Sequence, residues 1–247
     1  MARALKRIFF LPDAHVPHHS TAAFQIATRA CKRFDPDILV VLGDFADFYS
    51  VSSHDKDPAR TQLLSIEVRA VRSCLAQLEA LDVKRKIFLM GNHEYRLQRY
   101  LCTRAPELFD MVEVHKLFEL EENGWEWVPY REHLMLGSLA LSHDFGSAGQ
   151  TAHSKAAIKL GSSIVMGHTH RMAYVTRSDI RRQLISAAMF GWLGDFNAID
   201  YASKASVTTD WVHGFGVGYL YRNDVPILCP VPIIDERFCV LEGEMIR

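Results

Sequence analysis

Five clusters of carboxylate, carboxamide and imidazole residues punctuate the first two thirds of this 247-residue chain: Asp13 with His15, then Asp44, Asn92-His93-Glu94, His143, and His168 with His170. Imidazole nitrogens mixed with oxygen donors, and no thiolate among them, suit zinc, manganese, iron or nickel better than calcium or magnesium. Two aspartates, one asparagine and four or five histidines can meet eight coordination contacts on two ions if one aspartate bridges. Two ions about 3.5–4 Å apart stabilise both the attacking and the leaving oxygen of an in-line displacement at phosphorus. Taken singly, any of these histidines reads more often as a hydrogen-bonded structural residue than as a ligand. Their ordered recurrence is what points to a site.

Each cluster follows a short apolar run: RIFFL at 7–11, ILVVL at 38–42, IFLM at 87–90, LALS at 139–142 and SIVM at 163–166. Short continuous apolar runs are the signature of strands buried on both faces. In open α/β sheets, ligands bind beyond the carboxyl ends of the strands, so clusters far apart in sequence are expected to converge there. Gly43, Gly91 and Gly167 each precede a polar residue, where glycine permits a sharp exit from the strand and a close backbone approach.

The elements that must position these clusters are legible in outline. A helix is predicted over 20–34, with Ser20-Thr21 as its cap and Pro36 beyond its end. A second, over 61–81, carries Leu64, Val68, Val71, Leu75 and Leu78 as one apolar stripe. That stripe reads as packing against a sheet; a dimer seam is the alternative, with too few positions for a coiled coil. Short strands at 125–128, 133–136 and 139–142 follow, the last two joined by a Gly137-Ser138 turn. A helix at 152–160 and a strand at 163–166 come next, then strand segments near 173–176, 183–187, 217–221 and 238–241. This βαβαβ order followed by a more antiparallel half predicts an α/β protein built as a sandwich of layers.

Composition narrows the rest. With 49% hydrophobic residues and a net charge of -1, the chain is not intrinsically disordered and has no broad cationic field for nucleic acid. No apolar stretch approaches the roughly 20 residues of a membrane span, so no membrane association is expected. The N-terminal run is broken by Pro12 and Asp13 and reads as a strand instead of a secretory signal. Five scattered cysteines in no CxxC spacing fit a reducing compartment, and the expected location is cytoplasmic. No repeat or linker divides residues 1–247, which are expected to form one domain. No feature specifies an oligomer.

The ordered blocks D-x-H (Asp13, His15), G-D (Gly43, Asp44), G-N-H-E (Gly91 to Glu94), H (His143) and G-H-T-H (Gly167 to His170) resemble those of the calcineurin-like metallophosphoesterases. They span about two thirds of the chain, and its compact look is similar to small bacterial and phage phosphoesterases. The resemblance implies a layered αββα sandwich of mixed sheets flanked by helices. It implies a two-metal hydrolase in which Asp13, His15, Asp44 and His170 hold one ion and Asp44, Asn92, His143 and His168 the other, with Asp44 bridging. A hydroxide on the ions would be the nucleophile, and His93, not a ligand, would stabilise the phosphate and protonate the leaving oxygen. Manganese is the first choice of metal, with iron, zinc or nickel as alternatives. Asp47 and Glu94 are candidates for orienting ligand imidazoles. The fourth block departs from the family's His-Gly pattern (His143-Asp144-Phe145-Gly146). His133 and His153 lie nearby, but His143 alone ends an apolar run.

Outside the blocks, His54 and Arg96 are candidate substrate-binding residues: His54 on a loop with Phe48, Tyr49 and Lys56, and Arg96 because a guanidinium fork matches a phosphate. A surface salt bridge is the other reading of Arg96. Arg171, Arg177, Arg181 and Arg182 read as a solvated face sooner than a nucleic-acid groove. Phe190, Trp192, Phe196, Tyr201, Trp211 and Phe215 read as a satellite core sooner than a base-stacking platform. The expected activity is a phosphodiesterase acting on a nucleotide or nucleic acid. The alternatives are a phosphomonoesterase and a catalytically silent scaffold on the same fold. A closed structural metal site is disfavoured, since such sites are usually rich in cysteine.

Overall fold

Strand β1 (Leu5–Leu11) explains the architecture in miniature. Its alternate residues Ile8 and Phe10 enter one core while Phe9 and Leu11 enter another, so the run is apolar throughout instead of alternating. The computed structural model describes residues 5–53, 63–198, 210–221 and 225–247. Strands β2 (Ile38–Val41), β3 (Arg85–Leu89) and β4 (Trp125–Val128) continue parallel from β1. On its other side β10 (Gly214–Tyr221) and β11 (Val225–Pro232) pair antiparallel, giving a six-stranded sheet of order β11-β10-β1-β2-β3-β4. A second sheet, β5-β6-β7-β9-β8, has β6 (Leu139–Ser142), β7 (Ser163–Met166) and β9 (Leu184–Phe190) parallel at its centre. Its edges, β5 (Leu134–Leu136) and β8 (Met172–Ser178), run antiparallel. A small hairpin, β12 (Cys239–Leu241) with β13 (Glu244–Ile246), closes the chain.

The sheets pack face to face through Phe10, Val40, Leu42 and Leu89 from one and Leu141, Val165, Ala188 and Phe190 from the other. Helices α1 (Thr21–Phe34), α2 (Leu64–Glu79) and α3 (Glu94–Arg104) cover the outer face of the first sheet; a single turn, α4 (Val114–Leu117), adds Val114 to the same core. The alanine-rich α5 (Ala152–Leu160) covers the second sheet through Ala152, Ala156 and Ala157. The result is the four-layer αββα arrangement of mixed sheets. None of the described helices is long and apolar enough to cross a membrane.

Local chemistry accounts for the element ends. Ser20 Oγ accepts from Ala23 N at 3.1 Å to cap α1, and Asp35, in the left-handed region, ends it before Pro36. The stripe on α2 faces the first sheet and is no dimer seam: Val71, Leu75 and Leu78 are fully buried, and Leu64 and Val68 pack beside them. Strand β11, which the sequence reading does not predict, carries Pro226, Pro230 and Pro232. They fall at even spacing on an edge strand, so all three missing N–H groups can face away from β10 and no ladder bond is lost.

Candidate metal centre

The segments leaving β1, β2, β3, β6 and β7 meet at one end of the two sheets. Asp13 and His15 follow β1, Asp44 follows β2, Asn92 and His93 follow β3, His143 follows β6, and His168 and His170 follow β7. His15, Asp44, His168 and His170 all have positive φ, between 45° and 70°, a region costly for residues with a Cβ. Such strain persists where surrounding structure enforces it, and here it turns side chains inward. Gly43, at φ 90°, is required by both conformation and space: a Cβ there would stand 2.7 Å from His143 Nδ1 and 2.9 Å from Gly91 N.

Asp13, His15 and His170 bring one donor atom each within 4.8 Å of one another. His15 Nε2 and His170 Nε2 are 3.0 Å apart, so two lone pairs can converge on one point. Asp13 accepts from His168 N at 2.9 Å through one oxygen; its other oxygen is buried without a partner, as is His170 Nδ1. Most buried polar atoms in proteins are paired, and an orphaned carboxylate oxygen among imidazoles is what a cation would satisfy. Asp47 Oδ2 lies 3.4 Å from His15 Nδ1, in place to fix that ring from behind. Burial opposes charge on Asp47, yet His15, His93 and Arg96 around it hold its carboxyl well below the usual range.

Asp44, His143 and His168 form a second group of the same tightness. Asn92 Oδ1 joins it, 3.0 Å from His143 Nε2 and 2.8 Å from His168 Nδ1. His143 Nδ1–H donates to the Leu42 carbonyl at 2.8 Å, which aims Nε2 into the group; Nε2 lies 3.3 Å from Asp44 Oδ2. Burial works against a charged His143, but the Asp44 carboxylate carries its pKa up to about 10. Asp44 stands between this group and a third, with His15 and His93, as a bridging ligand must. The donor set, its orphaned oxygen and its convergence fit two divalent ions.

His93 and Glu94 play different parts. His93 Nδ1–H donates to the Asp47 carbonyl at 3.0 Å, while its Nε2 accepts from Arg96 Nη2 at 2.8 Å. The ring is thereby held neutral, and burial lowers its pKa to about 3. Glu94 orients no imidazole. Its carboxylate accepts from the backbone N–H groups of Asp44, Ala46 and Gly91 at 2.9, 2.8 and 2.7 Å, tying the turn after β2 to the turn after β3. Burial and the Asp44 charge push its pKa up to about 7.

Arg96 uses Nη1 on the Asp47 carbonyl at 2.9 Å and carboxylate at 3.2 Å, so its fork is taken up inside the protein. Arg99 reaches Ser53 Oγ at 2.8 Å. His54, Lys56 and Tyr201 lie outside the described residues. His133 is exposed and His153 is buried on α5; neither joins the groups above. Arg177 lies on edge strand β8, and Arg181 and Arg182 sit exposed at the β8–β9 turn, at the far end of the sheet. The aromatic set divides. Phe190, Trp192 and Phe215 are fully buried, Phe196 is partly exposed, and Trp211 lines a cavity of about 240 Å³ over the centre. That cavity is floored by Asp44, Asn92, His93, His168 and His170 and walled by Trp211, Arg171, Ala148 and Gly149. The sequence offered Trp211 only within an aromatic group read as core sooner than as a stacking platform; the backbone bridge of Arg171 to Trp211 is what sets it in this wall.

The family model of the calcineurin-like phosphoesterases matches residues 6–172, and the chain belongs to that family. The Gene 54 protein of Mycobacterium phage D29 is 26% identical over 250 residues, covering 95% of this chain and 96% of the phage protein. Among solved structures, Vacuolar Protein Sorting 29 from Cryptosporidium parvum is 12% identical with a TM-score of 0.48, over 98% of this chain and 94% of its own. The phosphoesterase YfcE from E. coli is 14% identical with a TM-score of 0.43, over 90% of this chain and 98% of its own.

Proposed function

We propose that this family member is a phosphodiesterase acting on a nucleotide or nucleic acid with two divalent ions, manganese first among them. The observation that carries the diester is the charge of the cavity. Arg171, the one cationic side chain among its described lining residues, is paired to Asp210 Oδ2 at 2.5 Å, and Arg96 is held by Asp47. A phosphomonoester's second negative charge would have the ions alone to meet it and no free cationic side chain, whereas a diester brings one charge and a second ester arm.

Asp13, His15, Asp44 and His170 would hold the first ion, and Asp44, Asn92, His143 and His168 the second. When bound, such ions lower the pKa of a water and neutralise charge on the phosphoryl oxygens. The chain's own residues do the rest. Asp47 and the Leu42 carbonyl fix the His15 and His143 rings. Glu94 pins the backbone on both sides of Asp44. His93 lines the cavity with Nδ1 protonated on the Asp47 carbonyl, and Arg96 must release Nε2 before that nitrogen can carry a proton to a leaving oxygen.

The test is hydrolysis of bis-p-nitrophenyl phosphate beside p-nitrophenyl phosphate by the manganese-loaded protein, with Asp44→Asn as control. The expected result is diester turnover well above monoester turnover, and a fall of about two orders of magnitude or more in the variant. A monoester preference moves the assignment to a phosphatase, and equal turnover by Asp44→Asn sinks the two-metal mechanism.

A further inference from the structure

Trp211 owes its place beside the candidate centre to tertiary pairing alone, and that pairing is tight. Val212 N donates to the His170 carbonyl at 3.1 Å, and Trp192 N donates to the Val212 carbonyl at 3.0 Å. Trp211 itself bridges antiparallel to Arg171. The segment is thus laced between the His170 turn and the chain leaving β9. Behind it, fully buried Trp192 stacks on His170 with ring centroids 5.0 Å apart and meets Trp211 at 4.9 Å. Trp211 in turn meets the His170 ring edge to face at 4.3 Å. An indole held this way is a fixed, flat apolar wall directly beside a candidate metal ligand.

The surroundings say what such a wall can take. Gln150 Nε2 donates to the same Asp210 oxygen as Arg171, at 3.2 Å, so the polar groups next to Trp211 satisfy one another and present no net charge. Ala148 and Gly149 complete that side of the cavity without bulk. The volume of about 240 Å³ falls below the ~300–1,000 Å³ of pockets that enclose a whole drug-sized ligand. A phosphoryl group over the floor leaves room for one flat substituent against the indole, with the remainder of the molecule outside.

We infer that Trp211 is a specificity-determining residue that receives one nucleoside arm of a phosphodiester, its π-face packing against the base or the sugar–base edge. The inference rests on the phosphodiesterase reading of the same site and adds which ester arm that site selects. Base–aromatic stacking is sequence-tolerant, because every base has a π-face, so the residue selects nucleosides as a class and not one base.

Two substrates with the same leaving group isolate the arm: the p-nitrophenyl ester of thymidine 5′-monophosphate and methyl p-nitrophenyl phosphate. The ratio of their kcat/KM values is measured for the wild type, Trp211→Leu and Trp211→Phe. Leucine keeps apolar bulk against His170 and Trp192 but has no π-face, and thermal melts confirm that each variant is folded. The thymidine-to-methyl ratio is expected to fall about tenfold or more in Trp211→Leu, mainly through KM, and to return to within about threefold in Trp211→Phe. Equal losses on both substrates would mean that Trp211 only supports His170, and an unchanged ratio would mean that it touches no arm; either overturns the inference. Calorimetric binding of thymidine 5′-monophosphate against inorganic phosphate gives the same comparison without turnover. If the wild type hydrolyses neither diester, the parent reading fails by itself. The binding ratio, lower in Trp211→Leu or unchanged, still decides Trp211.

Discussion

The guanidinium of Arg96 lies 2.8 Å from His93 Nε2 and 2.9 Å from the Asp47 carbonyl, and no atom of this contact is visible in the sequence beyond a spacing of three along a helix. An arginine one turn after G-N-H-E reads equally well as a phosphate ligand and as a salt bridge. The fold makes it a strut between two site residues, and the two roles leave different kinetic marks. Replacing Arg96 by methionine removes the strut that positions the His93 ring against Asp47 and leaves Asp47 without its cation. Charged hydrogen bonds are worth about 1.5–3 kcal/mol each, so kcat is expected to drop about 10–100-fold with KM within about twofold. Steady-state kinetics on a p-nitrophenyl diester make the distinction: a rise in KM at constant kcat would return Arg96 to the substrate. His143 was legible where Arg96 was not, because it ends an apolar run and His133 and His153 do not.

At the scale of elements, strand ends were the readable feature, and the loop after β2 was not. Glu67 on α2 carries the point. It shares the buried face of a helix whose apolar stripe was plain, yet a glutamate in the first turn reads as exposed. In the fold its Oε1 accepts from Ser50 N at 2.8 Å, pinning the loop that follows Asp44, and its other oxygen is buried without a partner. Burial, with Asp47 nearby, raises its pKa above the ordinary glutamate value. The native state therefore keeps this proton to higher pH than the unfolded chain does. Ionising Glu67 weakens the fold as pH rises from the ordinary glutamate range through the raised value, and below about pH 4 neither state bears the charge. Glu67→Gln keeps an acceptor for Ser50 without the charge. Its Tm is expected to exceed the wild type's at pH 7, with the difference shrinking to near zero toward pH 4. A difference independent of pH would show that packing and not ionisation is at stake.

For the whole molecule, the candidate centre joins the two sheets. Asp13, His15, Asp44 and Asn92 come from the ends of the six-stranded sheet, whereas His143, His168 and His170 come from the five-stranded sheet. Both proposed ion sites draw ligands from both sheets, so metal acts as a clasp across the inter-sheet core. Free metal at about 100 times its Kd adds about 2.7 kcal/mol to the native state, which for a chain of this size raises Tm by about 5–10 °C. Scanning calorimetry with and without manganese, then with a chelator, should show that rise and its reversal, and Asp44→Asn should lose most of it. Metal binding by calorimetry with no change in Tm would mean that the unfolded chain holds the ions as tightly as the native state does, and would remove the clasp.

The order of strands, the ends at which polar residues gather and the layered class follow from local pattern, because burial on both faces imposes continuous apolar runs and ligand turns impose glycine. Those constraints act over a few residues, and so they are written in consecutive letters. Which oxygen of Asp13 is left bare, why Glu94 binds three amides and no imidazole, how three prolines fit one edge strand and why Trp211 stands beside His170 depend on groups up to 155 residues apart. Such contacts are set by sheet register and by how two sheets close on one another. A linear sequence has no local signature for them, because the energy that selects them is released only when the layers pack.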